Sequence, residues 1–223
     1  MSDNKKFKAI ILFSIITTFS FSCSNNGVNK TINEIRMEFA DKLWQKVNSG
    51  KTYNIVFLGD SITHLGDFEQ VFKEYNCGNF GIPGDSIKDV YYRRNMVYKV
   101  NPKKLFLMIG INSLLGLDED IDLCAFQYEV LIKDFKIHLP TTQIYIESVL
   151  PTSNAYGERV SNNAINAFNE KLKALVEKYN LTYIDLHSLY KDEEGLKISC
   201  TQDGVHLTPA AYSIWYEKIK EYL

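Results

Sequence analysis

The sequence predicts an α/β fold in which a five-stranded parallel sheet is covered by helices on both faces. Short, continuous apolar runs alternate along the chain with longer segments whose apolar residues recur every three or four positions. Apolar runs of this kind are typical of strands buried on both faces, and the longer segments are typical of amphipathic helices. The chain has 223 residues, 45 % of them hydrophobic and 23 % charged, which is enough to bury one sizeable core.

Five segments are predicted to be strands: Tyr53–Leu58, a short run ending near Phe80, Lys104–Ile109, Gln143–Val149 and Leu181–Leu186. Helical spacing of apolar residues appears in four further places: Ile32 to Leu43, Ile121 to Phe135, Ile165 to Tyr179, and from Pro209 to the end of the chain. Proline is tolerated in the first turn of a helix, so Pro209 indicates where the last one begins.

The N-terminal segment predicts export. Three lysines precede an apolar run over residues 9–21, and Cys23 follows Ser22 directly, which resembles the lipobox of bacterial lipoproteins except that Ser20 stands where Leu is more usual. We therefore expect a signal peptide over 1–22, a lipidated N-terminus at Cys23 with a tether to residue 29, and the folded domain over 30–223. The expected product is an exported, membrane-anchored lipoprotein on the periplasmic or cell surface. Plain secretion and an uncleaved anchor are the alternatives.

Composition argues against several other functions. The formal net charge is −2 and no basic block is present, so no nucleic-acid partner is expected, and membrane attachment is expected only through the lipid. Cys77, Cys124 and Cys200 have neither an even count nor CxxC spacing, which favours buried structural cysteines over a disulfide framework or a zinc site. HExxH is absent as well, so no metal and no cofactor are expected. The oligomeric state stays open.

Polar loops follow the predicted strands where a parallel sheet would have its carboxyl edge, which is where ligands bind in such sheets. These loops are rich in Gly, Asn, Ser and Asp: Gly59–Ser61, Asn79–Ser86, Gly110–Ser113, Leu150–Asn154 and, after a long polar stretch, Thr201–Pro209. Each loop taken singly could be ordinary turn chemistry or a helix cap. Together they place a distinct set of reactive groups at one edge.

That set suits acyl transfer. The hydroxyl of Ser61 needs a base to take its proton, and His206 is the residue type suited to this near neutral pH. Asp203, three residues earlier, could orient the imidazole from a tight turn. The backbone N–H of Gly84 and the side-chain amide of Asn112 could donate hydrogen bonds to the oxyanion that forms.

Other pairings of polar residues are open but less favoured. Asp185 and His187 flank Leu186 at a strand end, and His138 follows Asp134 by four residues at a helix end, which favours structural roles. His64 could line the pocket, since it lies three residues after Ser61. Asp60 is expected to brace the turn. The elbow motif GxSxG is not met, because Thr63 stands in place of its second glycine.

Four sequence blocks resemble those of the SGNH (GDSL) hydrolase superfamily: "GDSI" from Gly59, "NFGIPGDS" from Asn79, "GINS" from Gly110 and "DGVHL" from Asp203. They occur in the same order as in that superfamily, and the resemblance covers nearly all of the mature chain. The resemblance implies a flavodoxin-like, three-layer α/β/α domain and metal-free hydrolysis through an acyl-enzyme. It implies Ser61 as nucleophile, His206 as base, Asp203 as acid, and an oxyanion hole made by Ser61, Gly84 and Asn112. One departure is Ser113, where the third block usually has Asp, and this puts the local bracing of its loop in doubt.

Within the superfamily, the blocks look most similar to the branch of platelet-activating-factor acetylhydrolase-like and sialate O-acetylesterase-like proteins. That similarity implies a serine esterase that removes short acyl groups, with an O-acetyl ester on a carbohydrate as the favoured substrate and a small-molecule or glycan ester as the partner. The alternatives are a lysophospholipase or thioesterase, whose acyl pocket Leu114, Leu115 and Leu117 could line, and a glycan-binding lipoprotein without catalysis.

Overall fold

The computed structural model describes residues 31–156 and 159–223, and a five-stranded parallel sheet lies at its centre. The strands lie in the order β2-β1-β3-β4-β5. Their bounds are Ile55–Gly59 (β1), Cys77–Gly81 (β2), Lys104–Met108 (β3), Gln143–Glu147 (β4) and Thr182–Ile184 (β5). This order is the flavodoxin-like one, in which the direction of winding reverses beside β1.

Ten α-helices surround the sheet within the described residues: Ile32–Asn48 (α1), Ser61–His64 (α2), Phe68–Val71 (α3), Ile87–Tyr92 (α4), Asn95–Val100 (α5), Ile111–Gly116 (α6), Ile121–His138 (α7), Asn162–Tyr179 (α8), His187–Tyr190 (α9) and Pro209–Lys220 (α10). The long helices begin at residues that satisfy free backbone N–H groups. Thr31 forms a capping box with Glu34, and the side chains of Ser161 and Thr208 cap α8 and α10.

The strand order explains the three layers. Connections between parallel strands are right-handed, so helices that follow the chain from β3 towards β5 lie on one face, and those between β1 and β2 lie on the other. On the latter face, aromatic rings from three adjacent strands stack on one another: Phe57 on Phe106, and Phe106 on Tyr145. Phe68 of α3 covers Phe57, and Trp215 of α10 packs edge-on against Phe68.

Successive side chains of a strand point to opposite faces of the sheet, and those that point to the opposite face here are aliphatic. Leu58, Leu105, Leu107 and Ile146 are all buried there. Helices α7 and α8 pack together, with the ring of Tyr128 edge-on to that of Phe168. With helices on both sides, β1 is fully buried and β2, β3 and β4 are buried at all but one residue each, as the sequence pattern predicts. Of the three residues of β5, only Ile184 is buried.

The predicted α/β/α fold and its five strands are confirmed, with ends that differ by a few residues. The main difference is the long polar stretch after β5, which is folded into α9 and a small antiparallel hairpin of Lys191–Asp192 (β6) and Gly195–Leu196 (β7). Cys77, Cys124 and Cys200 are free and buried, as predicted. The signal peptide and lipidated tether predicted for residues 1–29 lie outside the described residues. Among the residues described, no helix is long and apolar enough to cross a membrane.

Candidate active site

Ser61 lies at the carboxyl edge of the sheet, where β1 turns abruptly into α2. A side chain at Gly59 would collide with the Met108 carbonyl of β3 and with Thr63 of α2. Only glycine therefore fits at the end of β1. Asp60 precedes the helix, and its Oδ1 accepts a hydrogen bond of 2.9 Å from the N–H of Ile62. This turn presents Ser61 as the first residue of α2.

His206 and Asp203 lie beside Ser61 although they are more than 140 residues away in sequence. Ser61 Oγ is 2.8 Å from His206 Nε2, and His206 Nδ1 is 2.6 Å from Asp203 Oδ2. The structure thus brings the three predicted residues into one hydrogen-bonded chain. A histidine that carries its proton on Nδ1 satisfies both contacts, since it donates to the carboxylate and accepts from the hydroxyl.

Local hydrogen bonds fix the loop that carries Asp203 and His206. Asp203 Oδ1 accepts from the backbone N–H groups of Val205, at 3.0 Å, and His206, at 2.8 Å. Thr201 Oγ1 accepts from the N–H of Gly204 at 2.9 Å. Partial burial opposes ionisation of Asp203, but the hydrogen bonds from the His206 ring and from these N–H groups outweigh it, so the pKa of Asp203 is lowered. Asp203 is therefore a carboxylate at neutral pH.

The loop after β4 is hydrogen-bonded to the loop that carries Asp203 and His206. Asn162 at the start of α8 pairs with both backbone groups of Thr152, at 3.0 and 2.9 Å. The next residue, Ser153, donates its N–H to the carbonyl of Gly204 at 2.9 Å. The fourth polar loop found in the sequence is therefore part of the scaffold of the site.

Gly84 and Asn112 lie in the two loops that follow β2 and β3. The sheet register aligns Gly59 with both Gly81 and Met108, so these loops leave the sheet level with Ser61. Gly84 has a φ of +80°, which is why glycine is suited to this position. Asn112 Nδ2 donates to the carbonyl of Asp85 at 2.9 Å, which ties the two loops together.

Ser113 braces the same pair of loops. It is buried, and its Oγ accepts a hydrogen bond of 2.8 Å from the N–H of Ile87 at the start of α4. The serine that stands in place of the usual aspartate therefore supplies an oxygen acceptor between the loops. The doubt that this departure raised about the Asn112 loop is answered by a direct contact.

A network of charges, which the sequence did not reveal, lies behind the turn that carries Ser61. The carboxylate of Asp85 pairs with Arg93 Nε at 2.6 Å and with Arg36 Nε at 3.2 Å. Arg93 Nη2 also donates to the Gly59 carbonyl at 3.0 Å. Asp60 lies nearby and is 1 % exposed. Burial raises the pKa of Asp60 to about 7; the Ile62 N–H opposes that effect, and the nearby charge of Asp85 adds to it.

Two further polar side chains, those of Asn79 and Glu147, form hydrogen bonds between strands and helices. Asn79 on β2 donates to the carbonyls of Thr63 and Gly66, each at 2.8 Å, and so holds the end of the short helix that carries Ser61. Glu147 at the end of β4 is buried and accepts from Trp215 Nε1 at 2.6 Å. Burial raises the pKa of Glu147 to about 8, and the indole N–H lowers it only partly. Asn79 begins the second of the four sequence blocks, whereas Glu147 carried no recognisable local pattern.

The histidines of the open alternatives have other contacts. His64 packs edge-on against Phe39, with ring centroids 4.6 Å apart, and its Nδ1 is 3.2 Å from the Gly81 carbonyl. His138 Nδ1 is 2.9 Å from the Asp134 carbonyl, and its ring stacks on Tyr98. His187 is buried, and its backbone N–H donates to Ser148 Oγ.

Asp185 and the leucines near Asn112, which the sequence also singled out, have the following surroundings. Asp185 hydrogen-bonds the backbone N–H and the hydroxyl of Ser188, as residues at a helix start commonly do.

Leu114 lies in the core, which leaves Leu115 as the exposed leucine next to the Asn112 loop. The described ranges contain no group of three or more His, Cys, Asp or Glu side chains that could hold a metal ion.

A parallel α/β sheet with a hydrogen-bonded serine, histidine and aspartate at its carboxyl edge is an arrangement found in serine hydrolases. Comparison of the sequence with known families places the chain more narrowly. Residues 57–214 match the GDSL-like lipase/acylhydrolase family. The chain therefore belongs to that family and is an ester hydrolase, as the resemblance of its four blocks implied.

Solved structures share the fold. A Streptococcus pneumonia protein, described as a candidate platelet activating factor, is 22 % identical with a TM-score of 0.79, and the match covers 97 % of this chain and 98 % of that one. A GDSL-like lipase from Bacteroides thetaiotaomicron is 20 % identical with a TM-score of 0.70, covering 82 % and 97 %. The acetyl xylan esterase AlAXEase is 20 % identical with a TM-score of 0.65, covering 76 % and 98 %. No curated protein matches the chain significantly.

Proposed function

We propose that the protein is a serine esterase that removes short acyl groups, by an acyl-enzyme mechanism, from esters of carbohydrates. The observation that carries this proposal is the continuous chain of hydrogen bonds from Ser61 Oγ through the His206 ring to Asp203. Such a chain prepares a hydroxyl for attack, because the base and the group that orients it are already in place.

In the first half of the reaction, Ser61 Oγ attacks the ester carbonyl carbon while its proton passes to His206 Nε2. Asp203 stabilises the imidazolium that forms. The tetrahedral intermediate then expels the alcohol, which takes the proton from His206, and the acyl group remains on Ser61. In the second half, His206 removes a proton from water, the hydroxide attacks the acyl-enzyme, and Ser61 recovers its proton as the carboxylic acid leaves.

The oxyanion of each tetrahedral intermediate is stabilised by hydrogen-bond donors that are fixed beforehand. We assign this role to the backbone N–H groups of Ser61 and Gly84 and to the side chain of Asn112. Support comes from the contacts that hold the loops: Asn112 to the Asp85 carbonyl, and Ser113 to the Ile87 N–H. Donors that need no rearrangement at the moment of reaction are the effective ones.

The substrate assignment rests on two considerations. Acetyl xylan esterases are among the proteins that share this fold at low identity. In addition, Leu114 is completely buried, which removes one of the three leucines that could have lined a long acyl pocket. A lipid ester is the second candidate, because Leu115 is 40 % exposed on the helix that carries Asn112 and could contact an acyl chain.

The experiment uses p-nitrophenyl esters of increasing chain length, together with O-acetylated xylan oligosaccharides. Wild-type protein should hydrolyse the acetate and butyrate and release acetate from the oligosaccharides, with a sharp loss of rate for longer chains. Ser61→Ala should be inactive, whereas Ser213→Ala, which changes an exposed helix serine, should keep full activity. Activity of Ser61→Ala equal to the wild type would refute the mechanism. A preference for decanoate would favour the lipid ester.

The location of the enzyme is part of the same proposal. The lysines at 5, 6 and 8, the apolar run that follows and Cys23 support export and a lipid anchor on Cys23. Full-length protein expressed in a bacterium should partition into detergent, and Cys23→Ser should move it to the aqueous phase. Equal partitioning of the two would show that the lipid is not the anchor.

A further inference from the structure

Helix α1 contacts the candidate site, although it lies outside the residues that match the family. Three of its residues, Ile32, Arg36 and Phe39, are spaced four and three apart and so share one face of the helix. The matched region begins only at residue 57. Ile32 and Arg36 contact the Gly84 loop and Phe39 contacts His64, so α1 does more than cover the core.

The closest of these contacts is with the Gly84 loop. A Cβ atom at Gly84 would lie 3.0 Å from two side-chain carbons of Ile32 and 3.3 Å from Cδ of Arg36. The helix is therefore packed directly on the backbone of the residue whose N–H we assign to the oxyanion hole. Phe39, one turn further on, packs against the ring of His64.

Arg36 adds a charge contact to the same loop. Its Nε is 3.2 Å from Asp85 Oδ1, and its Nη2 also pairs with Asp89. Arg93 holds the second oxygen of Asp85 from the other side. The Asp85 carboxylate is thus fixed between two guanidinium groups, one from the family-matched region and one from α1, with only 3 % of its side chain exposed.

We propose that Arg36 is a positioning residue for the oxyanion hole. Asp85 directly follows Gly84, and its carbonyl accepts the hydrogen bond that orients Asn112 Nδ2. The Gly84 N–H and the Asn112 side chain, two of the three assigned donors, therefore depend on the placement of Asp85. Arg36 helps to fix Asp85. This inference rests on the proposed function, since it concerns the stabilisation of the oxyanion by Gly84 and Asn112.

A purely structural role for Arg36 would mean that it only attaches α1 to the rest of the domain. Lys46 provides the matched control, because it lies on the same helix and forms an ion pair between α1 and Glu69. Arg36→Met removes the ion pairs of α1 with Asp85 and Asp89, and Lys46→Met removes the one with Glu69, while both variants keep an unbranched side chain. Only the first removes a contact to the loop that contains Gly84, whose Asp85 carbonyl accepts the hydrogen bond from Asn112.

The test compares these variants by kcat/KM on p-nitrophenyl acetate, normalised to active sites titrated with a fluorophosphonate, and by the inhibition constant of phenylboronic acid. The boronate forms a tetrahedral adduct with a serine and so probes the oxyanion hole. Arg36→Met should lower kcat/KM by about 10- to 100-fold, mostly through kcat, since a small misplacement of catalytic groups costs that much. Its boronate affinity should fall in parallel, while Lys46→Met should match the wild type.

Arg36→Lys keeps the charge but loses the planar, two-sided contact, so it should recover part of the activity. It also serves if Arg36→Met is too unstable to assay. The inference is overturned if the arginine variants keep wild-type kcat/KM and boronate affinity, or if Lys46→Met loses as much as Arg36→Met. Failure of the proposed function has a different result: Ser61→Ala would then be as active as the wild type.

Discussion

The two sides of the candidate site are held in place by different kinds of contact. On one side, the side chains of Asp203 and Thr201 fix the loop mainly by hydrogen bonds to residues at most three positions away, and Ser153 adds one bond from the loop after β4. On the other side, the nucleophile turn and the Gly84 loop are fixed by buried charges that come from distant parts of the chain, as Arg93 to the Gly59 carbonyl shows. The proposed base is therefore placed mainly by a short segment, whereas the proposed nucleophile and oxyanion donors depend on contacts between distant segments.

The largest expected effect is on the acid and base side. His206→Gln removes the group that we propose takes the proton of Ser61, so kcat/KM on p-nitrophenyl acetate should fall about 10²- to 10⁴-fold. His138→Gln is the matched control, because His138 lies on the surface of α7. The fold should be unaffected in both, as measured by circular dichroism. Equal activity of the two variants would show that His206 is not the base.

Arg93→Met tests the contacts of the nucleophile side. Arg93 is nearly buried and holds both the Asp85 carboxylate and the Gly59 carbonyl. Its removal leaves buried polar groups without a partner, so the free energy of unfolding should fall by about 3–5 kcal/mol in urea denaturation. A loss no greater than that of an exposed ion pair would mean that the buried charges do not hold this side together.

The two sides should also respond differently to pH. Asp60 has a folded pKa of about 7 against a usual value of 3.8, so between these values the folded protein binds more protons than the unfolded chain. Its contribution to stability is therefore largest at low pH and decreases as the pH rises from about 4 to about 7. The lowered pKa of Asp203 acts in the opposite sense, and its contribution is lost only as the pH falls below the usual aspartate range.

Urea denaturation at a series of pH values distinguishes these effects. Asp60→Asn keeps the oxygen that accepts from Ile62, and it should reduce the loss of stability between pH 4 and pH 7. Asp203→Asn should leave the upper part of that range unchanged. The same pH dependence in Asp60→Asn and the wild type would show that Asp60 does not titrate there.

The smallest expected effect is Thr201→Val. Thr201 is buried, and its Oγ1 accepts hydrogen bonds from the N–H groups of Asp203 and Gly204, which are uncharged donors. The free energy of unfolding should fall by about 1 kcal/mol. A loss as large as that of Arg93→Met would contradict the contrast between a locally fixed loop and a side held by distant contacts.

The same contrast explains which features could be predicted from the sequence. Asp203 and His206 lie in one short block, and the apolar runs show where the strands end. The sequence could therefore predict which loops carry Ser61, Asp203 and His206. The pairing of Asp85 with Arg93 and Arg36 could not be predicted, because it depends on which distant segments the folded chain brings together. Nor could the hairpin of β6 and β7 be predicted, since its strands are only two residues long and carry no apolar run.

The central claim, that Ser61 is the nucleophile, is tested most directly by covalent labelling. A fluorophosphonate should add once per molecule, and peptide mass spectrometry should locate the adduct on Ser61. Labelling should disappear in Ser61→Ala, remain in Ser213→Ala, and be slowed by an excess of p-nitrophenyl acetate. An adduct on another serine, or undiminished labelling of Ser61→Ala, would contradict the account.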